Sequence, residues 1–131
     1  MYRKEILALE DVKRVARAAE EEALRNNWNV VIAIVDDGGH LMYLQREKVQ
    51  LGSVDVAISK AKTALMFRRP TRFWEKTVAE GRQGYLALNN MLPIEGGIPL
   101  THNGEIVGAI GISGVKSSED GQVAQAGANA L

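Results

Sequence analysis

Apolar residues recur at helical spacing near the start of the chain. Leu9, Val12, Val15, Ala16, Ala19 and Ala23 share one face, which predicts an amphipathic helix from Leu7 to Asn26. Glu10 and Asp11 sit in its first turn, where negative charge suits the helix dipole, and Asn26-Asn27 makes a stop that tolerates left-handed backbone. The period then changes. Val30 to Val35 is apolar without polar alternation and rich in β-branched residues, the pattern of a strand covered on both faces or lying at a subunit interface. Asp36-Asp37-Gly38-Gly39 is a turn, and His40 to Gln45 is the returning strand, ended by Arg46-Glu47-Lys48.

Helical spacing returns from Ser53, a candidate N-cap, to about Phe67, with Val54, Ile58, Ala61 and Leu65 as the buried stripe and Lys62 and Met66 off it. Pro70 stops this helix, and Thr71 caps a second one beginning near Arg72, with Phe73, Trp74, Thr77 and Val78 apolar. Gly81 to Asn90 reads as a loop or broken helix. Extended backbone follows through Pro93 and Pro99 to Thr101. His102-Asn103-Gly104-Glu105 carries the strongest turn signal, an Asn-Gly pair suited to a type I′ hairpin. Its partner strand is Ile106 to Ser113. Strict alternation sends Ile106, Gly108, Ile110 and Ile112 one way and Val107, Ala109, Gly111 and Ser113 the other. A closing helix runs from about Glu119 to Leu131, with Ser117 and Asp120 in a capping arrangement. Helix, two strands, helices, further strands and a helix is the order of an α+β fold with an antiparallel sheet.

At 131 residues the length predicts a single domain, residues 1–131. With 16 basic and 16 acidic residues there is no general attraction to nucleic acid or to an anionic membrane. The absence of cysteine excludes disulfides and thiolate metal sites. No apolar run is long enough to span a bilayer, and no signal-type segment follows the N-terminus, so the default expectation is a cytoplasmic protein.

Two histidines are present, both at turns. The Asn-Gly turn accounts for His102. His40, just past a glycine turn, is a candidate ligand for haem iron, and no other metal site is expected. Gly96, Gly97 and Gly114 offer backbone N–H groups that could line a pocket for an anionic group. Lys60, in a basic cluster with Lys62, Arg68 and Arg69, and Arg46 at a strand end are candidates for binding a carboxylate such as a haem propionate or an organic acid. Glu95, against the Gly-Gly-Ile-Pro turn, is the carboxylate best placed for acid–base work. No spacing marks a nucleophilic triad.

At these residues the chain resembles the haem-degrading domain family. The matching pieces run almost end to end: Ile34 to Leu41, Lys60-Ala61-Lys62-Thr63-Ala64, Gly96 to Leu100, Gly108 to Gly114, and Asp120 with Ala124 to Gly127. That family includes the streptomycete haem-binding protein, the glycolate-operon protein and the C-terminal domain of one class of corrinoid adenosyltransferases. The resemblance implies a profilin-like domain, a five-stranded antiparallel sheet flanked by helices, assembled into homo-oligomers. It also implies haem binding with an axial histidine, a role that falls on His40. Where many members carry Arg-Met-Asp-Gly-Ala, this chain has Arg46-Glu47-Lys48-Val49-Gln50 and keeps only the arginine.

Two expectations follow. The first is a haem- or small-ligand-binding protein, with His40 on the iron and Arg46 or Lys60 facing the propionates. The alternative is an enzyme acting on a small carboxylated metabolite such as an aromatic ring-cleavage product, by hydrolysis, deamination or tautomerisation. Glu95 or His40 would then move the proton. A purely structural assembly role, resting on the unbroken apolar strand and on Phe73 and Trp74, is compatible with either.

Overall fold

The structure is a computed structural model that describes residues 1–131. The chain folds as α1 (Leu9–Arg25), β1 (Val31–Asp36), β2 (Leu41–Arg46), α2 (Ser53–Phe67), α3 (Thr71–Ala79), a short 3-10 helix (Gln83–Ala87), β3 (Gly97–His102), β4 (Glu105–Ser113) and α4 (Ser117–Ala128). The strands form one antiparallel sheet in the order β2-β1-β4-β3. It has four strands, one fewer than the resemblance implies: between α3 and β3 the chain forms a 3-10 turn and an irregular strap instead of another strand.

The unbroken apolar character of β1 has a direct cause. Ile32 and Ile34 pack with Val12, Val15 and Ala19 of α1 and Val123 and Ala124 of α4. Val31, Ala33 and Val35 point to the other face, where α2 lies with Ala57, Ala61 and Ala64. Because β1 is central and covered twice, neither set of side chains can be polar.

The helix α2 approaches closely because its partners lack side chains. Gly97 and Gly111 are directly paired across β3 and β4. A Cβ on Gly97 would collide with the Lys60 carbonyl, and one on Gly111 with the Ala57 carbonyl and the Ala61 amide. The helix backbone therefore rests on the strand backbone, and this turns α2 relative to the expected stripe. Ala57, Lys60, Ala61, Ala64 and Leu65 are buried, while Val54 and Ile58 are only half-buried.

Other expectations shift by smaller amounts. The register of β3 against β4 slips between Leu100 and Thr101, so Val107 is an extra residue on β4. This bulge breaks the predicted alternation: Val107 joins the α1–α4 side with Ile110 and Ile112, and Ile106 packs on the α2 side. Thr71 opens α3, Pro70 takes the cap position, and the Thr71 hydroxyl is buried, accepting the Gly97 N–H at 2.9 Å. Gly52 precedes α2, with Ser53 already in its first turn. The closing helix ends at Ala128, and Glu119 rather than Asp120 accepts the Lys116 N–H at its start. The Asn103-Gly104 turn takes the two positive φ values expected, 50° and 79°.

Candidate functional site

The predicted site residues do not converge on one place. His40 lines one cleft and Glu95, Gly96 and Gly97 line another that shares no residue with it, while Lys60, Arg46 and Gly114 line neither.

The first cleft encloses about 580 Å³ and is open to solvent. One wall is the β1–β2 turn, Gly38, Gly39 and His40; the floor is the outer face of α2, Ser59, Lys62 and Met66; the far wall is Asn90, Met91 and Leu92. The turn is built by Asp36, whose Oδ1 accepts the N–H groups of His40 and Gly38, each at 2.9 Å. These two bonds, the one from His40 foremost, hold the Asp36 carboxyl below the usual aspartate range. They also fix where His40 leaves the turn; the residue is exposed, and its imidazole makes no hydrogen bond within the chain. The far wall is pinned by Thr63, which accepts the Leu92 N–H at 3.0 Å and donates to the Ser59 carbonyl at 2.7 Å.

The second cleft encloses about 320 Å³ at the start of β3, between Glu95, Gly96 and Gly97, Arg72 at the start of α3, and Ser118, Gly121 and Gln122 of α4. The Glu95 N–H donates to Glu75 Oε1 at 3.2 Å, which fixes the residue's backbone. Burial pushes the Glu95 carboxyl above the ordinary glutamate range; the charge of Glu75 adds to this, while Arg72 and Lys60 oppose it. The Gly97 N–H is taken by Thr71.

Lys60 lies in neither cleft wall. Its side chain is 98% buried, with the ammonium bonded to Asp120 Oδ2 at 2.9 Å and to the Ile112 carbonyl at 3.0 Å. Burial pushes the Asp120 carboxyl up, against the pull of Lys60. The charge expected to face an anionic ligand is thus already paired, and it packs beneath Gly96, where a Cβ would meet Lys60 Cδ and Nζ. Lys62, two residues on and roughly opposite on the helix, is the cation that faces the His40 cleft. Arg46 is exposed at the other end of β2 from His40, six residues or about 20 Å away along the strand. Gly114 packs against Asn29 and Val30 at that same far end and lines neither cleft. His102 is exposed, with Nδ1 3.2 Å from Glu5 Oε1, and belongs to a separate surface.

Two cations that line the clefts, Lys62 and Arg72, were not singled out by the sequence as facing a site. Lys62 was legible from helical phase, since it lies off the apolar stripe. Arg72 carried no signal, because only the packing of α3 against the β3 start brings it to Glu95. No group of histidine, aspartate and glutamate side chains is arranged to hold a metal ion, and no helix is long and apolar enough to cross a membrane.

Known proteins supply the family. Protein GlcG of Escherichia coli K12 is 39% identical over 114 residues, 86% of this chain and 85% of GlcG. The crystal structure of a double mutant of HbpS from Streptomyces reticuli superposes with a TM-score of 0.90 at 32% identity, covering 100% of this chain and 90% of that one. A structure described as a PduOC:heme complex superposes with a TM-score of 0.85 at 28% identity, covering 97% and 96%. A family model described as haem degrading protein HbpS-like matches residues 7–129, and the chain belongs to that HbpS-like family.

Proposed function

We propose that the chain binds haem in the first cleft, with His40 as the axial ligand. The observation that carries this reading is the unengaged His40 imidazole on the wall of an open cleft of about 580 Å³, within the ~300–1,000 Å³ of small-molecule and cofactor sites. The donor set fits the group. A neutral imidazole ligates iron, Met66, Met91 and Leu92 offer apolar contact to a macrocycle, and the Lys62 ammonium can take a propionate. A relative whose structure is described as a haem complex supports it. Arg46, at the far end of β2, does not line this cleft. Self-association accompanies this reading: Leu41 and Leu44 are exposed on β2, an edge strand, and offer apolar surface to a second copy.

Titration with hemin should produce a shifted Soret band. His40→Ala should weaken binding by at least about tenfold, or ~1.4 kcal/mol, and Lys62→Glu by a smaller factor. An unchanged spectrum and affinity in His40→Ala would remove the histidine from the iron.

A second reading rests on a different observation, the Glu95 carboxyl held up by burial beside Arg72 and Gly96. It makes the chain an enzyme acting on a small carboxylated metabolite, such as an aromatic ring-cleavage product. Groups whose proton affinity is shifted by their surroundings are the usual carriers of acid–base chemistry. Crystals grown with a small dicarboxylic acid should show density between Arg72 and Gly96, and a closed, empty cleft would count against it.

A further inference from the structure

Three groups in the second cleft are left without partners. The Glu95 carboxylate accepts no hydrogen bond, although the backbone N–H of the same residue is engaged by Glu75. The Gly96 N–H donates to nothing in the chain, while its carbonyl accepts the Ile112 N–H at 2.9 Å. Arg72 makes no ion pair. The seat of the carboxyl is also built at a cost. Glu95 Oε2 lies on Gly121, inside α4, where any Cβ would collide with it. Glycine in a helix interior costs about 1 kcal/mol against alanine, so α4 gives up stability where the carboxyl rests. A carboxylate, an amide donor and a guanidinium around about 320 Å³ complement a small molecule that has an acidic C–H, a carbonyl oxygen and a carboxylate.

Building on the enzyme reading above, we propose that this cleft catalyses a 1,3-proton shift, the keto–enol tautomerisation of a small 2-oxo carboxylic acid, with Glu95 as the proton carrier and Arg72 as the carboxylate anchor. Arg72 takes the substrate carboxylate in its planar fork. The Glu95 carboxylate removes a proton from C3. The C–H pair becomes the C2–C3 double bond, and the carbonyl π pair moves onto oxygen as an enolate. The Gly96 N–H stabilises that oxygen. The proton on Glu95 then returns to the enolate oxygen, giving the enol and the starting carboxylate. Nothing is oxidised, no water is consumed and no second reactant enters. One proton carrier suffices, and one is what the cleft holds. Hydrolysis would also need a positioned water and a proton donor for the leaving group.

The test uses the full chain in D2O with 2-oxobutyrate, oxaloacetate and phenylpyruvate, following loss of the C3 proton by NMR. At least one acid should exchange ten times faster than in buffer. Glu95→Gln should abolish the gain, and Arg72→Ala should raise the half-saturating concentration more than tenfold with a smaller change in limiting rate. Gly121→Ala favours the helix yet displaces the carboxyl, so it should lose the rate while circular dichroism stays native. Amide shifts at Gly96 and Gly97 on adding the same acids read binding separately. Binding without exchange overturns the tautomerisation and leaves the small-carboxylate reading standing. Neither binding nor exchange overturns both, and exchange that survives Glu95→Gln removes Glu95 as the carrier.

Discussion

Glu95 is a carboxyl kept away from hydrogen-bond donors and partly out of water, a placement that disfavours its charged form. Its folded-state pKa lies above the unfolded value. Its contribution to stability is therefore complete below the unfolded value and is lost as pH rises through the folded one. Glu95→Gln removes that titration. The variant should gain on the wild type in urea between about pH 4 and pH 7, by under about 1 kcal/mol because the group is only partly buried, and the two should converge at lower pH. A constant offset at every pH would contradict the raised pKa. The residue type and its glycine-turn setting were legible in the sequence. What holds the charge off, Gly121 beneath it and Glu75 beside it, lies on two other helices and was not.

At the scale of elements, the pairing of α2 with β3 and β4 positions both clefts. The helix sits on the bare Gly97–Gly111 pair, backbone against backbone. That contact sends Lys60 inward and presents Lys62 and Met66 to His40. Gly111→Ala should cost about 3 kcal/mol or more, since neither the Ala57 carbonyl nor the Ala61 amide can yield without moving the helix. Gly84→Ala meets nothing within 4 Å and should change stability by no more than about 0.5 kcal/mol. Chemical denaturation of both variants checks the pair, and equal costs would show that the loss comes from glycine's backbone freedom and not from the close approach. The strand glycines predicted a near neighbour on each face, but that α2 is the one on Gly111 and Leu7 the one on Gly108 depended on tertiary packing.

Across the whole molecule, the Lys60–Asp120 pair joins elements on opposite faces of the sheet. Lys60 leaves α2, bonds the Ile112 carbonyl beside the start of β3, and meets Asp120 of α4. Asp120 also accepts the Val115 N–H at 3.1 Å, anchoring the turn into α4. With the two side chains 2% and 3% exposed, Lys60→Met leaves a buried, unpaired carboxylate and should cost about 3–5 kcal/mol. Combining it with Asp120→Leu should cost less than the sum of the single variants. A double-mutant cycle in urea measures the difference, and strict additivity would mean that the two charges do not act as a pair. Because Lys60 underlies Gly96, its loss should also loosen the second cleft while leaving the first, on the other side of α2, in place.

The order and type of the elements, the buried character of β1, the tight turns at Asp36 to His40 and at Asn103-Gly104, and the candidacy of His40 and Glu95 were all determined by the sequence. Each depends on spacing or backbone freedom within a few residues. The tertiary structure decided the rest. The sheet has four strands, and the segment between α3 and β3 forms a 3-10 turn and an irregular strap outside it. Lys60 pairs with Asp120, 60 residues away along the chain. Arg72 comes to line the same cleft as Glu95 only because α3 docks beside the start of β3. His40 and Glu95 end in two separate clefts, since α2 lies between them with Lys60 buried and Lys62 outward, and helical phase against a sheet depends on how closely the two backbones can approach.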